Sequence, residues 1–106
     1  MTGALHAALP LPVDHPALAG HFPAHPIYPG VVLLDAVIGA IEAHYGAHVR
    51  GVPVAKFHAP VRPGMALVLD ADHHEDSVRF HLSSDGVRVA TGTVRVHPTA
   101  SDESRS

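Results

Sequence analysis

The chain has 106 residues, no cysteine and a formal net charge of −3 with histidine counted as neutral. That length predicts one domain, and the missing cysteine excludes disulfides and thiolate chemistry. The net negative charge argues against nucleic-acid binding, which needs a concentrated basic face. No stretch approaches the roughly 20 apolar residues of a membrane span. The N-terminus lacks the basic and apolar regions of a signal peptide, so we expect a cytoplasmic protein.

The N-terminal segment alternates apolar and polar residues, which predicts a strand. Its apolar positions are Leu5, Ala7, Leu9, Leu11 and Val13. Because Pro10 and Pro12 carry no N–H, this strand is expected at a sheet edge or with an early end. Residues 14–30 then contain four prolines and two glycines, which exclude a regular helix or a central strand. A loop this long in a compact domain tends to be functional.

A helix is predicted over residues 30–45, after Pro29 and before the stop signal Gly46. Apolar side chains cover most of its circumference, which predicts a buried helix. They are Val31, Leu33, Leu34, Val37, Ile38, Ile41 and Tyr45.

Four strands are predicted after the helix, at residues 51–61, 65–74, 78–82 and 87–97, with Phe57 and Phe80 as core residues. Asp85-Gly86 predicts a hairpin turn, and a change of apolar parity in the last strand predicts a bulge near Gly92. The expected fold is therefore α+β, one long buried helix wrapped by an antiparallel β-sheet. We expect a single domain over residues 1–97 and a polar, disordered tail over residues 98–106.

The candidate catalytic residues are His21, in the proline-rich loop, and Asp35, one turn into the helix and fourteen residues later. An ionisable residue on an apolar helix is costly unless it is paired or used. Asp35 could therefore make a structural hydrogen bond or act in catalysis, and the pattern alone weighs these equally. A histidine beside an acid in a dry site can move protons next to a carbonyl.

The same segment resembles the signature of the 3-hydroxyacyl-(acyl carrier protein) dehydratases, which have the hot-dog fold. The matching residues are Gly20-His21-Phe22-Pro23, Pro26, Pro29-Gly30-Val31 and Asp35, followed more weakly by Phe57, Pro60-Val61 and Pro63-Gly64. The short chain is similar to the compact branch associated with aryl-polyene and pigment pathways. Three positions depart from the family pattern, namely Ala24 for Gly, Asp35 for the Glu of other branches, and Gly39 for Gln.

The resemblance implies dehydration of a 3-hydroxyacyl thioester to the trans-2-enoyl thioester, in fatty-acid-like or polyene and pigment biosynthesis. It implies that His21 removes the C2 proton and that Asp35 protonates the leaving hydroxyl. It also implies that the Gly30 N–H binds the thioester oxygen, with Tyr28 and Pro29 beside the substrate. Tyr28 could equally close the loop onto the core. The implied active site takes His21 and Asp35 from opposite chains of a dimer.

The partner implied by the resemblance is an acyl carrier protein that carries the acyl chain on phosphopantetheine. A homodimer is expected, and a heterodimer with a paralogue is the alternative. No cofactor or metal is expected, because the histidine pairs His21/His25 and His73/His74 lack a well-spaced third ligand. The basic residues are scattered along the chain, which indicates solvated surface unless folding gathers some of them into a cluster suited to an acidic protein or a phosphate.

Two other functions remain open from the sequence. A hot-dog thioesterase would use the helix acid to activate water, although the Gly-His-Phe-Pro loop is not its usual signature. A non-catalytic acyl-binding or partner subunit would use the fold without the chemistry. Acyl chain length and pathway are not determined by these residues.

Overall fold

The computed structural model describes residues 4–11 and 27–98, which form one helix and five strands. The elements are β1 (Ala4–Ala8), α1 (Gly30–Tyr45), β2 (Ala47–Phe57), β3 (Val68–His74), β4 (Ser77–Ser84) and β5 (Val87–Pro98). The predicted catalytic histidine, most of the proline-rich loop and residues 99–106 of the predicted tail lie outside the described residues. Pro98, which we expected to begin that tail, still belongs to β5.

The helix has the bounds that its flanking residues predict. Pro29 is extended, with φ −61° and ψ 149°, and its carbonyl accepts bonds from the N–H groups of Val32 and Leu33 at 3.0 and 3.4 Å. At the other end Gly46 adopts the left-handed conformation, with φ 64°, and its N–H donates to the Glu42 carbonyl. Glycine reaches that conformation without a Cβ clash, so it ends the helix.

The five strands form one antiparallel sheet in the order β1-β3-β4-β5-β2. The predicted N-terminal strand is confirmed as an edge strand that ends at Ala8, before its prolines. β3, β4 and β5 follow one another in sequence and in space. Their inward side chains and one helix face form the core, whose largest fully buried members are Val37, Ile41, Val61, Leu69, Val78, Leu82, Val89 and Val94.

The helix is buried on one face only in the single chain. Leu33, Val37 and Ile41 form its buried stripe, as their spacing of four residues requires. The opposite face is exposed, and Val31, which we expected inside, is 72% exposed. The apolar residues around the helix predicted burial on most sides, and this prediction was wrong for the face that carries Val31.

β2 begins four residues earlier than predicted, directly after Gly46. Its first residues pair with the end of β5, and the Glu42 carboxylate accepts a hydrogen bond from the Val49 N–H at 2.9 Å. Glu42, a polar residue of the helix, therefore fastens the start of β2 to α1. The register then shifts twice between Val49 and Val54, around the exposed Pro53. A proline at this position is tolerated because β2 is an edge strand.

The predicted turn and bulge are both present. Asp85 and Gly86 have positive φ values of 52° and 78°, the conformation of the two central residues of a type I′ hairpin turn. The bulge lies at Val89, because Leu82 pairs with Ala90 whereas Ser83 pairs with Arg88. Our prediction of a bulge was correct in kind but misplaced by three residues. Gly92 is regularly paired.

Candidate active site

A groove of about 360 Å³ opens at the N-terminus of the helix. Its lining comes from the helix entrance, the first buried helix residue and the segment that follows β2, namely Tyr28, Gly30, Leu33 and residues 57–61. The first N–H groups of a helix have no partner within the helix and carry its positive dipole end. A partly negative oxygen of a ligand in this groove would therefore be stabilised close to Gly30.

The wall of this groove nearest to Gly30 is the ring of Phe57. A Cβ on Gly30 would lie 3.0 Å from both Cε2 and Cζ of Phe57, so the ring packs directly on the glycine backbone. Phe57 is 49% exposed, and our expectation that it is an ordinary core residue was wrong. Its ring packs on Gly30 at the start of the helix, and the rest of its surface faces the open groove.

Tyr28 packs in the core, which is the structural role that its position left open, and its place beside the substrate stays a prediction. It is 5% exposed and belongs to the core cluster, and its N–H donates to the Val61 carbonyl at 2.8 Å. It also lines the groove. This backbone bond fixes the chain just before Pro29 and so orients the helix entrance. Pro29 is half-buried beside it.

Asp35 lies on the exposed face of the helix, one turn beyond Val31 and one turn before Gly39, both of which are also exposed. The described residues do not include His21, so the geometry of the predicted pair is not defined.

The fold gathers three of the scattered basic residues. Lys56, Arg79 and Arg88 line a shallow depression of about 300 Å³, together with His81. The strand register explains the cluster, because His81 and Lys56 both pair with Thr91. Among the described residues none of the three cations forms an ion pair within 4 Å. The sequence left open that folding gathers some basic residues into a cluster, but it did not identify these three, which are up to 32 positions apart.

At the C-terminal end of the helix, a tyrosine packs against two histidines. The Tyr45 ring packs against His44 and His73, and its hydroxyl donates to the Ala71 carbonyl at 3.3 Å. Burial, and secondarily the carboxylate of Asp72, raises the pKa of Tyr45 above its ordinary value. Within residues 4–11 and 27–98, no three side chains of the metal-binding types lie close enough to hold an ion.

The architecture defines the class of protein. The chain matches the dehydratase heterocomplex ApeI:P from Xenorhabdus doucetiae with a TM-score of 0.76 and 24% identity, over 91% of this chain and 88% of that one. It also matches the fluoroacetyl-CoA thioesterase FlK with a TM-score of 0.62 and 16% identity, over 99% of this chain and 95% of that one. These likenesses confirm the predicted hot-dog fold.

The sequence narrows the class to a family. The family model for ApeI-like proteins, described as ApeI dehydratase, matches residues 2–93. The chain belongs to this ApeI-like dehydratase family. It is also 33% identical, over 106 aligned residues, to a 3-hydroxyacyl-[acyl-carrier-protein] dehydratase FabZ from Vibrio vulnificus. The alignment covers 87% of this chain and 64% of that relative, so the chain spans less than two thirds of the relative's length. In the described part of the chain, no helix is long and apolar enough to cross a bilayer.

Proposed function

We propose that the protein dehydrates 3-hydroxyacyl thioesters to trans-2-enoyl thioesters. The observation that carries this proposal is the open groove at the helix N-terminus, with Gly30 at its base and Asp35 just over one turn further along the same helix. An acid and an oxyanion donor on one rigid element are the equipment for elimination next to a carbonyl. Family membership supports the same reaction.

The proposed steps use three groups. The thioester oxygen accepts a hydrogen bond from the Gly30 N–H, which stabilises the negative charge that develops there. His21 removes the proton from C2. The C3 hydroxyl then leaves as water with a proton from Asp35, while the electron pair of the C2–H bond becomes the C2–C3 double bond. Tyr28 and Pro29 hold the helix entrance at which the thioester sits.

We infer that the site is completed by a second chain. Within the described residues, the outer edge of β2 and the exposed helix face of Val31 and Asp35 are surfaces available to a second chain. A second copy that pairs with the β2 edge and covers this face would bury Asp35 and bring in its own His21. A paralogue could fill the same place, as the heterocomplex of the ApeI relative suggests.

We propose that the acyl substrate is carried by an acyl carrier protein, and the basic depression supports this choice. Lys56, Arg79 and Arg88 offer three cations without ion-pair partners within the described chain. Such a cluster attracts an acidic protein or a phosphate. Lys56 is followed directly by Phe57, and consecutive strand residues face opposite sides of a sheet. The depression and the groove therefore lie on opposite faces of the sheet, both near the C-terminal end of β2.

One assay separates the proposed reaction from its two alternatives. The protein is incubated with 3-hydroxyacyl and with simple acyl carrier-protein thioesters of several chain lengths, and the products are identified by mass spectrometry. Formation of the enoyl thioester from the first substrate supports dehydration. Release of free acid and carrier thiol indicates a thioesterase, which the likeness to FlK makes the second candidate. No product in either reaction, with binding retained, indicates a non-catalytic subunit.

A further inference from the structure

We infer that Phe57 is a positioning residue, whose ring forms the apolar wall that holds the thioester of a pantetheine-linked substrate against the Gly30 N–H. This inference rests on the proposed function. It adds a substrate contact outside the segment that contains His21 and Asp35. The ring is half-exposed although it lies on the inward side of β2. Exposed aromatic carbon is costly in water, so the ring has surface available for a ligand.

The geometry limits where a thioester can lie. Cε2 and Cζ of Phe57 approach within 3.0 Å of the position that a Cβ on Gly30 would occupy. The ring and the Gly30 backbone therefore form adjacent parts of one wall, within reach of a single thioester bound in the groove. A thioester has an apolar side, formed by its sulfur and the adjoining methylene groups. That side can pack on the ring while the carbonyl oxygen faces the amide.

The backbone around the ring is fixed, so the wall is preorganised. The N–H groups of His58 and Ala59 both donate to the Val89 carbonyl, at 2.7 and 3.3 Å. Phe57 itself pairs with Ala90 in the sheet. The strand end that carries the ring is thus held by β5. A ligand contact on a rigid element improves affinity because less motion is lost on binding.

The test compares Phe57→Ala and Phe57→Tyr with the matched control Val87→Ala, which removes another exposed apolar side chain at the distant hairpin. Butyryl-pantetheine is the binding probe, because it can be neither dehydrated nor hydrated. The reaction is followed with 3-hydroxybutyryl-pantetheine. Loss of the ring contacts should raise both the Kd and the KM about tenfold in Phe57→Ala, with kcat changed less than about twofold. In Phe57→Tyr the hydroxyl on Cζ meets Gly30, so binding should weaken at least as much.

A folded Phe57→Ala variant with the wild-type oligomeric state and wild-type affinity for butyryl-pantetheine would overturn the inference. So would a wild-type protein that does not bind this probe at millimolar concentration. If Phe57→Ala does not fold, Phe57→Leu keeps an apolar side chain and is expected to show the same direction of change. A wild-type protein that binds the probe but forms no enoyl product would instead refute the proposed dehydration. The Kd values of the wild type and Phe57→Ala for butyryl-pantetheine would still test the role of Phe57.

Discussion

The carbonyl oxygen of Val54 lies 2.5 Å from the position that a Cβ on Gly92 would occupy, and the Phe80 ring lies 2.8 Å from the same position. β2 and β5 can approach at this point only because residue 92 has no side chain. Gly92→Ala should therefore lower the free energy of unfolding by roughly 3 kcal/mol, the upper part of the range for overpacked sites. Chemical denaturation of the wild type and the variant measures this difference in the free energy of unfolding.

The control for that variant is Gly51→Ala, in the partner strand. Gly51 has no positive φ, and a Cβ there would meet nothing within 4 Å. Its effect on unfolding should be small. Equal destabilisation by the two substitutions would show that close backbone approach is not what requires glycine at position 92.

Glu42 provides a second test of stability. Glu42→Ala leaves the half-buried Val49 N–H without its acceptor, which should cost about 1.5 kcal/mol. Glu42→Gln retains a side-chain oxygen and should lose much less. Urea unfolding of both variants measures these costs, and hydrogen exchange at Val49 identifies their source. Faster exchange of this amide in Glu42→Ala indicates the lost hydrogen bond, whereas unchanged exchange would show that only packing was lost.

Substitution of the proposed catalytic residues tests the chemistry directly. His21→Ala and Asp35→Asn should each lower kcat for dehydration by 100-fold or more, the usual contribution of a general acid or base. Asp35→Glu should keep partial activity, because its carboxyl remains but lies one methylene further from the helix. Circular dichroism of each variant confirms the fold. Near-normal turnover in His21→Ala or Asp35→Asn would show that its assigned role is wrong.

Complementation tests whether two chains share one site. The inactive His21→Ala and Asp35→Asn proteins are mixed, unfolded and refolded together, which makes about half of the dimers mixed. In a mixed dimer one site inherits both lesions and the other inherits neither. Activity should return to about a quarter of wild type. No recovery, with mixed dimers shown by native mass spectrometry, would exclude the shared site.

The basic depression predicts a charge-dependent carrier interaction. Arg79→Gln and Arg88→Gln should each raise the KM for carrier-protein substrates roughly threefold, the effect of one exposed charge pair. Short pantetheine thioesters should be unaffected, and added salt should weaken only the carrier reactions. Arg50→Gln is the control, since Arg50 is exposed but lies outside the depression. An equal effect of all three variants would contradict docking at this surface.

The sequence predicted those parts of the fold that depend on local conformation. Pro29 and Gly46 bound the helix, and Asp85-Gly86 forms the turn, because backbone sterics act within a few residues. The start of β2 was misplaced because pairing with β5, 50 residues away, determines it. The bulge was misplaced for a related reason. A change in which alternate positions of the strand are apolar shows that it contains an extra residue, but not which residue is left unpaired.

The candidate site could be predicted only in part. The resemblance selected Gly30, which the structure places in a groove, and Asp35, which it places on an exposed helix face. The exposure of Phe57 and the members of the basic depression were not predicted, because both depend on the register of strands distant in sequence. Val31 was expected to be buried because an apolar side chain does not reveal which face of the helix the rest of the chain covers.

The sheet order has a consequence for the path by which the chain folds. β3, β4 and β5 form a meander of neighbours joined by short turns, so their contacts close at small entropic cost. β1 is different, because His6 pairs with Asp70, 64 residues later. β1 precedes β3 in the chain, so it has no strand partner until residues 68–74 have been synthesised. Because this pairing closes the longest loop among the described strands, we expect β1 to be the last strand to dock. Its amides are expected to exchange with solvent through openings that leave the meander intact.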